Sequence, residues 1–201
     1  MFTLTEEVLR VQRCYRTLLH VLSRPGTLAR LDLPIERKNR LVSVPSPLLL
    51  ACECLLDEKV TVSGLTERGR LWAEEISRGM RVKLAELEEA DFVLSGVEAS
   101  ASELLSLKRG SLLAPEEGAT LFVYVEEGIK GDAGLLGFAG PGVKGRLSLR
   151  VSAAVLDWAS QRGKLCFEYP MGFDAFLFDR EGNVLGIPRA CEIEVLKPRR
   201  G

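Results

Sequence analysis

Ala119-Thr-Leu-Phe-Val-Tyr-Val125, bounded by Gly118 on one side and Glu126-Glu127-Gly128 on the other, is the run whose reading decides the fold. Its residues are apolar at both alternations of a β-strand. A strand with no polar face needs cover above and below, which is the position of a central strand in a layered α/β sheet. Downstream, glycine recurs at 128, 131, 134, 137, 140, 142 and 145, which predicts tight turns between short strands. A helix follows over 152–162 with Val155, Leu156, Trp158 and Ala159 at helical spacing, and the strands of the C-terminal tail are expected to complete the same sheet. Upstream, 59–63, 82–84 and 92–94 predict short strands. One helix opens at Thr66 and runs through Trp72 and Ile76 to a stop at Gly79, and another spans 102–108 and closes on Gly110. Ser46-Pro47 starts a helix with a cap followed by Pro at the first helical position, and 48–56 is apolar nearly all round, so it belongs in the interior. Between Gly26 and Ser46 lie a short extended piece, 28–33, and a loop rich in Pro and Arg. Helices and strands alternate with no linker or repeat, so residues 1–201 read as one α/β domain, a mixed β-sheet flanked by helices.

The chain opens with a further helix. Thr3 and Glu6 form a capping box, and Leu4, Val8, Val11, Tyr15, Leu18, Leu19 and Leu22 recur at helical spacing until Pro25-Gly26 stops the run. That apolar stripe covers either the body of its own domain or a partner subunit. Arg10, Arg13 and Arg16 on the other side predict a solvated face.

Hydrophobic residues at 46% and charged residues at 27% place the chain among globular proteins. With 27 basic against 28 acidic side chains the net charge is -1, so no global field recruits nucleic acid or an anionic membrane. The basic tip Lys197-Pro-Arg-Arg200 reads as a solvated end. Glu6 and Glu7 stand where a secretory signal would be basic, and no apolar run is long enough to span a bilayer, so the expected location is the cytoplasm. The five cysteines, Cys14, Cys52, Cys54, Cys166 and Cys191, form an odd set without regular spacing and read as reduced thiols, mostly buried. Cys52-Glu-Cys54 is no metal pair, because positions two apart on a helix point to nearly opposite sides and His20 is the only histidine. No metal is expected.

The candidate site lies in the tail, Tyr169-Pro-Met-Gly-Phe-Asp-Ala-Phe-Leu-Phe-Asp179 and onward to Ile187-Pro-Arg189. Pro170, Gly172 and Asp174 form a Pro-x-Gly-x-Asp approach to one strand, and a tight turn over 179–183 leads to a second strand ending at Arg189. A hairpin therefore brings Asp174 and Arg189 together at its open end. The pair either pins the hairpin or forms part of a ligand or interface site. Gly140 and Gly142 lie in the glycine-rich stretch, which lacks the Gly-Lys-Ser/Thr end of a phosphate loop and the Gly-x-Gly-x-x-Gly of a dinucleotide site. They serve tight turns or contact a ligand or partner through the backbone. Glu116 reads as a capping residue. A lone histidine and no Gly-x-Ser-x-Gly elbow argue against a catalytic triad.

Three stretches, Tyr15-Arg-Thr-Leu-Leu-His-Val-Leu-Ser-Arg-Pro-Gly26, Ala114-Pro-Glu-Glu-Gly-Ala-Thr-Leu121 and the tail 169–195, resemble in order and spacing the H-subunit family (PhnH) of the carbon-phosphorus lyase system, which degrades phosphonates. The resemblance covers essentially the whole chain. It departs just past Arg189, where Ala190 and Cys191 replace hydroxyl residues. It implies a fold like that of the pyridoxal-phosphate-dependent transferases but without the cofactor, since no lysine here has a setting that recommends it for a Schiff base. It implies a homodimer when isolated, and action with the G, I, J and L subunits in coupling an alkylphosphonate to the ribose of ATP with release of adenine. MgATP would then be a substrate of the assembly. The alternatives are a free-standing small-molecule enzyme and a structural dimer with no link to phosphonates.

Overall fold

The computed structural model describes residues 4–33, 41, 43–165 and 169–196. The Thr3 half of the capping box, the Pro- and Arg-rich loop, Cys166 and the basic tip lie outside them. Helices α1 (Leu4–Ser23), α2 (Ser46–Leu55), α3 (Glu67–Met80), α4 (Ala101–Leu105) and α5 (Ala153–Gly163) alternate with strands β1 (Leu28–Arg30), β2 (Thr61–Gly64), β3 (Lys83–Leu84), β4 (Phe92–Gly96), β5 (Thr120–Val125), β6 (Lys130–Ala139), β7 (Leu147–Val151), β8 (Asp174–Asp179), β9 (Asn183–Ile187) and β10 (Glu192–Leu196). Among the described residues the strands form a seven-stranded mixed sheet ordered β1-β9-β8-β5-β4-β2-β3 and a three-stranded antiparallel sheet ordered β10-β6-β7. Strands β3, β2, β4, β5 and β8 run parallel, and β9 opposes both β8 and β1.

β5 sits at the centre of the larger sheet and feeds two cores, one on each face. Leu121, Val123 and Val125 join Val93, Ala175, Leu177, Val155 and Trp158 beneath α4, α5 and the small sheet. Phe122 points the other way, into a core shared with Cys14, Leu18 and Val21 of α1, most of α2, and Trp72 and Ile76 of α3. There Phe122 meets Phe92, Phe176 and Phe178 edge-on, with centroids 5.7, 5.9 and 5.4 Å away. Burying one such ring is worth about 1.5–3 kcal/mol. Next along this row stands Gly186, opposite Phe176. A Cβ at Gly186 would lie 2.7 Å from the backbone of Val21 and Leu22, so the missing side chain is what lets the end of α1 rest on β9.

Several local expectations change. The stripe of α1 is rotated: Cys14, Leu18 and Val21 are buried, whereas Val8, Tyr15 and Leu19 are more than half exposed. Arg13 pairs with Asp32 at 2.9 Å and Arg10 is half-buried, so the arginine face is only partly solvated. α3 runs through Gly79 and ends at Arg81, which takes the left-handed conformation (φ 60°) that glycine was expected to supply. Gly79 instead gives room to the Leu41 side chain. The glycine-rich stretch is one ten-residue strand, β6, with turns at its ends, because β7 and β10 pair with it on both sides and hold it extended. β10 accordingly completes the small sheet and not the central one.

Candidate functional site

The residues singled out in the tail gather at the edge of the sheet where the parallel strands begin. Asp174 is the first residue of β8, and β9 returns antiparallel to place Arg189 beside it. The carboxylate accepts the Arg189 backbone N–H at 2.7 Å through Oδ1 and the guanidinium through Oδ2, with Nη2 at 2.7 Å and Nε at 3.2 Å. The side chains of Arg189 and Asp174 are only 16% and 18% exposed. Arg189 Nη1 donates to the Pro115 carbonyl in the short 3-10 turn Pro115–Glu117. Beneath the guanidinium, Gly118 lies in backbone contact with Gly172, whose N–H donates to the Arg109 carbonyl at 2.9 Å. Pro170 follows a cis peptide bond from Tyr169 and is half-buried. The pair thus ties together two hairpin strands, the 3-10 turn and the Gly172 approach, and each of the three guanidinium nitrogens donates to an internal acceptor. Glu116 is exposed, and it is its neighbour's carbonyl that Arg189 takes.

Gly140 and Gly142 flank the turn after β6 with φ of +115° and +83°. The space a side chain would take at Gly140 holds the Ala190 carbonyl, 2.8 Å from its ideal Cβ, and at Gly142 it holds the Ser23 carbonyl. This turn therefore packs between the end of α1 and the residues just past Arg189. Sequence reasoning passed over Arg162. Its guanidinium lies 5.6 Å above the Phe173 ring and donates to the Pro188 carbonyl at 3.4 Å. Burial pushes its pKa down, with the nearby Cys191 and Asp174 acting against that shift. Its Nε is buried with no hydrogen-bond partner among the described residues.

The opposite edge, where the parallel strands end, carries a cleft of about 570 Å³ lined by Ser43, Pro45, Arg68, Leu71, Trp72, Glu75, Arg78, Tyr124 and Glu126. Open α/β sheets bind ligands outside the carboxyl ends of their strands, near the point where successive connections diverge. Here the chain leaves β2 through α3 to β3 on one side and returns to β4 on the other. The N-cap Thr66 of α3 accepts the Gly69 N–H at 3.2 Å and the Gly96 N–H at 2.9 Å, locking α3 to the end of β4. That fixes Arg68 one turn before Trp72. Its guanidinium lies 5.8 Å from the Trp72 ring centroid and donates through both Nη atoms at 2.9 Å to Glu126. Tyr124 meets Trp72 edge-on at 6.0 Å. Burial, then the charges of Glu126 and Asp179, raise the Tyr124 phenol above its ordinary range, with Arg68 and Arg180 acting against that shift. The cleft offers an aromatic wall, a phenol and an exposed ion pair, a set suited to holding a polar planar molecule by stacking and charge-assisted hydrogen bonds. No sequence motif marks it, because its members come from segments far apart in the chain.

Among the described residues there is no group of three or more His, Cys, Asp or Glu that could hold a metal, and no helix is long and apolar enough to cross a membrane. No curated protein matches the chain. The family model described as bacterial phosphonate metabolism protein (PhnH) matches residues 3–194, a span holding the Arg189 hairpin, the glycine turn and the carboxyl-edge cleft alike, and the chain belongs to that family.

Proposed function

We propose that this chain is a subunit of the carbon-phosphorus lyase core, acting beside the G, I, J and L subunits in coupling an alkylphosphonate to the ribose of ATP with release of adenine, the step that forms ribose 1-phosphonate triphosphate. The observation that carries this reading is the family match across residues 3–194. The geometry supports a subunit that needs partners. Arg189 of the tail is engaged by Asp174 and the Pro115 carbonyl, and α1 presents a ridge of exposed Val8, Tyr15 and Leu19. In the isolated protein this ridge covers a second copy of the chain, and in the assembly it faces another subunit. MgATP enters as a substrate of the assembly, and the cleft beside Arg68, Trp72 and Tyr124 is where a small molecule meets this chain.

The likeness to the pyridoxal-phosphate-dependent transferases belongs to the same reading and is supported by a seven-stranded mixed sheet in which β9 alone opposes its neighbours. The residues of the cleft do not fit the cofactor, since none of the described lining residues is the lysine a Schiff base requires. The cleft also favours a second reading, a free-standing enzyme acting on a small molecule in the cytoplasm. One preparation separates the two. A tagged chain isolated from its native cells is expected to bring the other core subunits with it, and expressed alone it is expected to scatter light as a dimer. A monomer isolated alone that turns over a small molecule would overturn the subunit reading.

A further inference from the structure

α1 and α2 meet through sulfur. The Cys14 thiol donates to the Leu50 carbonyl of α2 at 3.8 Å, and the Cys54 thiol donates to the Val11 carbonyl of α1 at 3.5 Å. Leu50 lies one turn before Cys54 and Val11 just under one turn before Cys14, so each sulfur is directed at the turn that carries the other. Cys14 is 2% exposed, whereas Cys54 is half-buried and open to solvent. All four described cysteines are free thiols. We propose that Cys14 and Cys54 form a dithiol that hydrogen peroxide oxidises to a disulfide joining α1 to α2.

The two sulfurs have different parts in the reaction. The neighbouring Cys54 and then burial raise the Cys14 thiol, while the neighbouring Cys14 lowers Cys54 against the effect of burial. Burial raises Cys52 and Cys191. Cys54, open to solvent where Cys14, Cys52 and Cys191 are buried, is the described thiol that peroxide reaches first, and it acts as nucleophile. Its sulfur attacks one peroxide oxygen, the O–O bond breaks, and the other oxygen leaves as water once protonated, giving a sulfenic acid on Cys54. The Cys14 sulfur then attacks the Cys54 sulfur, the S–S bond forms, and the sulfenic oxygen leaves as a second water. The two thiols lose two electrons and two protons, which reduce one peroxide to two waters. The disulfide fastens to the body of the domain the helix that carries Val8, Tyr15 and Leu19.

The test uses the full-length reduced chain, exposed to hydrogen peroxide, alkylated, and mapped without reductant. Cleavage at Glu53 separates Cys52 from Cys54. The expected product is an intramolecular Cys14–Cys54 link, lighter than the parent by two hydrogens, reversed by dithiothreitol, and absent in Cys54→Ser. The oxidised parent is expected to melt above the reduced one. A link to Cys52, Cys166 or Cys191, a link between chains, or sulfinic acid on Cys54 while Cys14 stays free would each overturn the proposal, and none of these readouts depends on the phosphonate reading.

Discussion

At the edge where the parallel strands begin, two aspartates stand at strand starts and each accepts a backbone N–H together with a cation. Asp91 takes the Thr61 N–H and hydroxyl and the Lys108 ammonium at 2.9–3.0 Å, and Asp174 takes the Arg189 N–H and guanidinium. At the edge where the strands end, Glu126 also pairs with an arginine, but the Arg68 and Glu126 side chains are 51% and 63% exposed, against 16% and 18% for Arg189 and Asp174. Two ion pairs of the same chemistry thus do different work. The sheltered pair closes the fold, because each partner would be left buried and uncompensated without the other. The exposed pair costs little to break, which leaves its groups free to exchange partners with a ligand.

The sharpest way to break this comparison is Arg189→Ala. It strands the Asp174 carboxylate and the Pro115 carbonyl at once and is expected to cost roughly 3 kcal/mol, lowering the melting temperature of the isolated chain by about 6–12 °C. A melt that matched the parent would show that the pair is not the fastening of this edge and would return Arg189 to the list of ligand and interface residues.

Arg68→Ala is the converse. It removes an exposed ion pair, so stability is expected to change by less than about 1 kcal/mol, within a few degrees in the melt. Growth on an alkylphosphonate as sole phosphorus source is expected to fail in cells carrying only this variant. If growth persisted and the melt fell as far as for Arg189→Ala, the two edges would have exchanged roles.

How far the sequence reaches follows the same division. The Asp174–Arg189 contact was readable because a hairpin with a short turn fixes its own register, and residues fifteen apart across it must meet. β5 was readable because burial on both faces leaves no polar alternation. The carboxyl-edge cleft was not, since Arg68 and Glu126 lie 58 positions apart and meet only through the order of β2, β4 and β5, which periodicity does not contain. The sheet to which β10 belongs was hidden for a related reason: Glu192-Ile-Glu-Val-Leu196 alternates as an edge strand of either sheet would. On α1, Cys14, Leu18 and Val21 and the adjacent Val8, Tyr15 and Leu19 form two apolar ridges, and spacing alone does not say which one faces inward.

The smallest expected effect sharpens the carboxyl edge. Burial, reinforced by the negative charges of Glu126 and Asp179, raises the Tyr124 phenol. In the unfolded chain a phenol ionises at about pH 10, so above that pH the folded protein still holds a proton that the unfolded chain has given up. Its contribution is fully present below about pH 10 and is lost as pH rises through the higher folded value, because stability falls with pH wherever the native state binds more protons. Tyr124→Phe removes this titration. Denaturant midpoints of parent and variant are therefore expected to run parallel through neutral pH and to converge or cross above about pH 10, as the parent alone gains the alkaline slope. The difference ultraviolet titration, parent minus variant, isolates the Tyr124 phenolate and is expected to rise above the ordinary tyrosine range. Arg68→Ala removes one of the cations that oppose this shift, so in that background the difference titration is expected to move further up. A downward move would mean that Arg68 does not act on the phenol, and the cleft would lose the charge coupling between its aromatic wall and its ion pair.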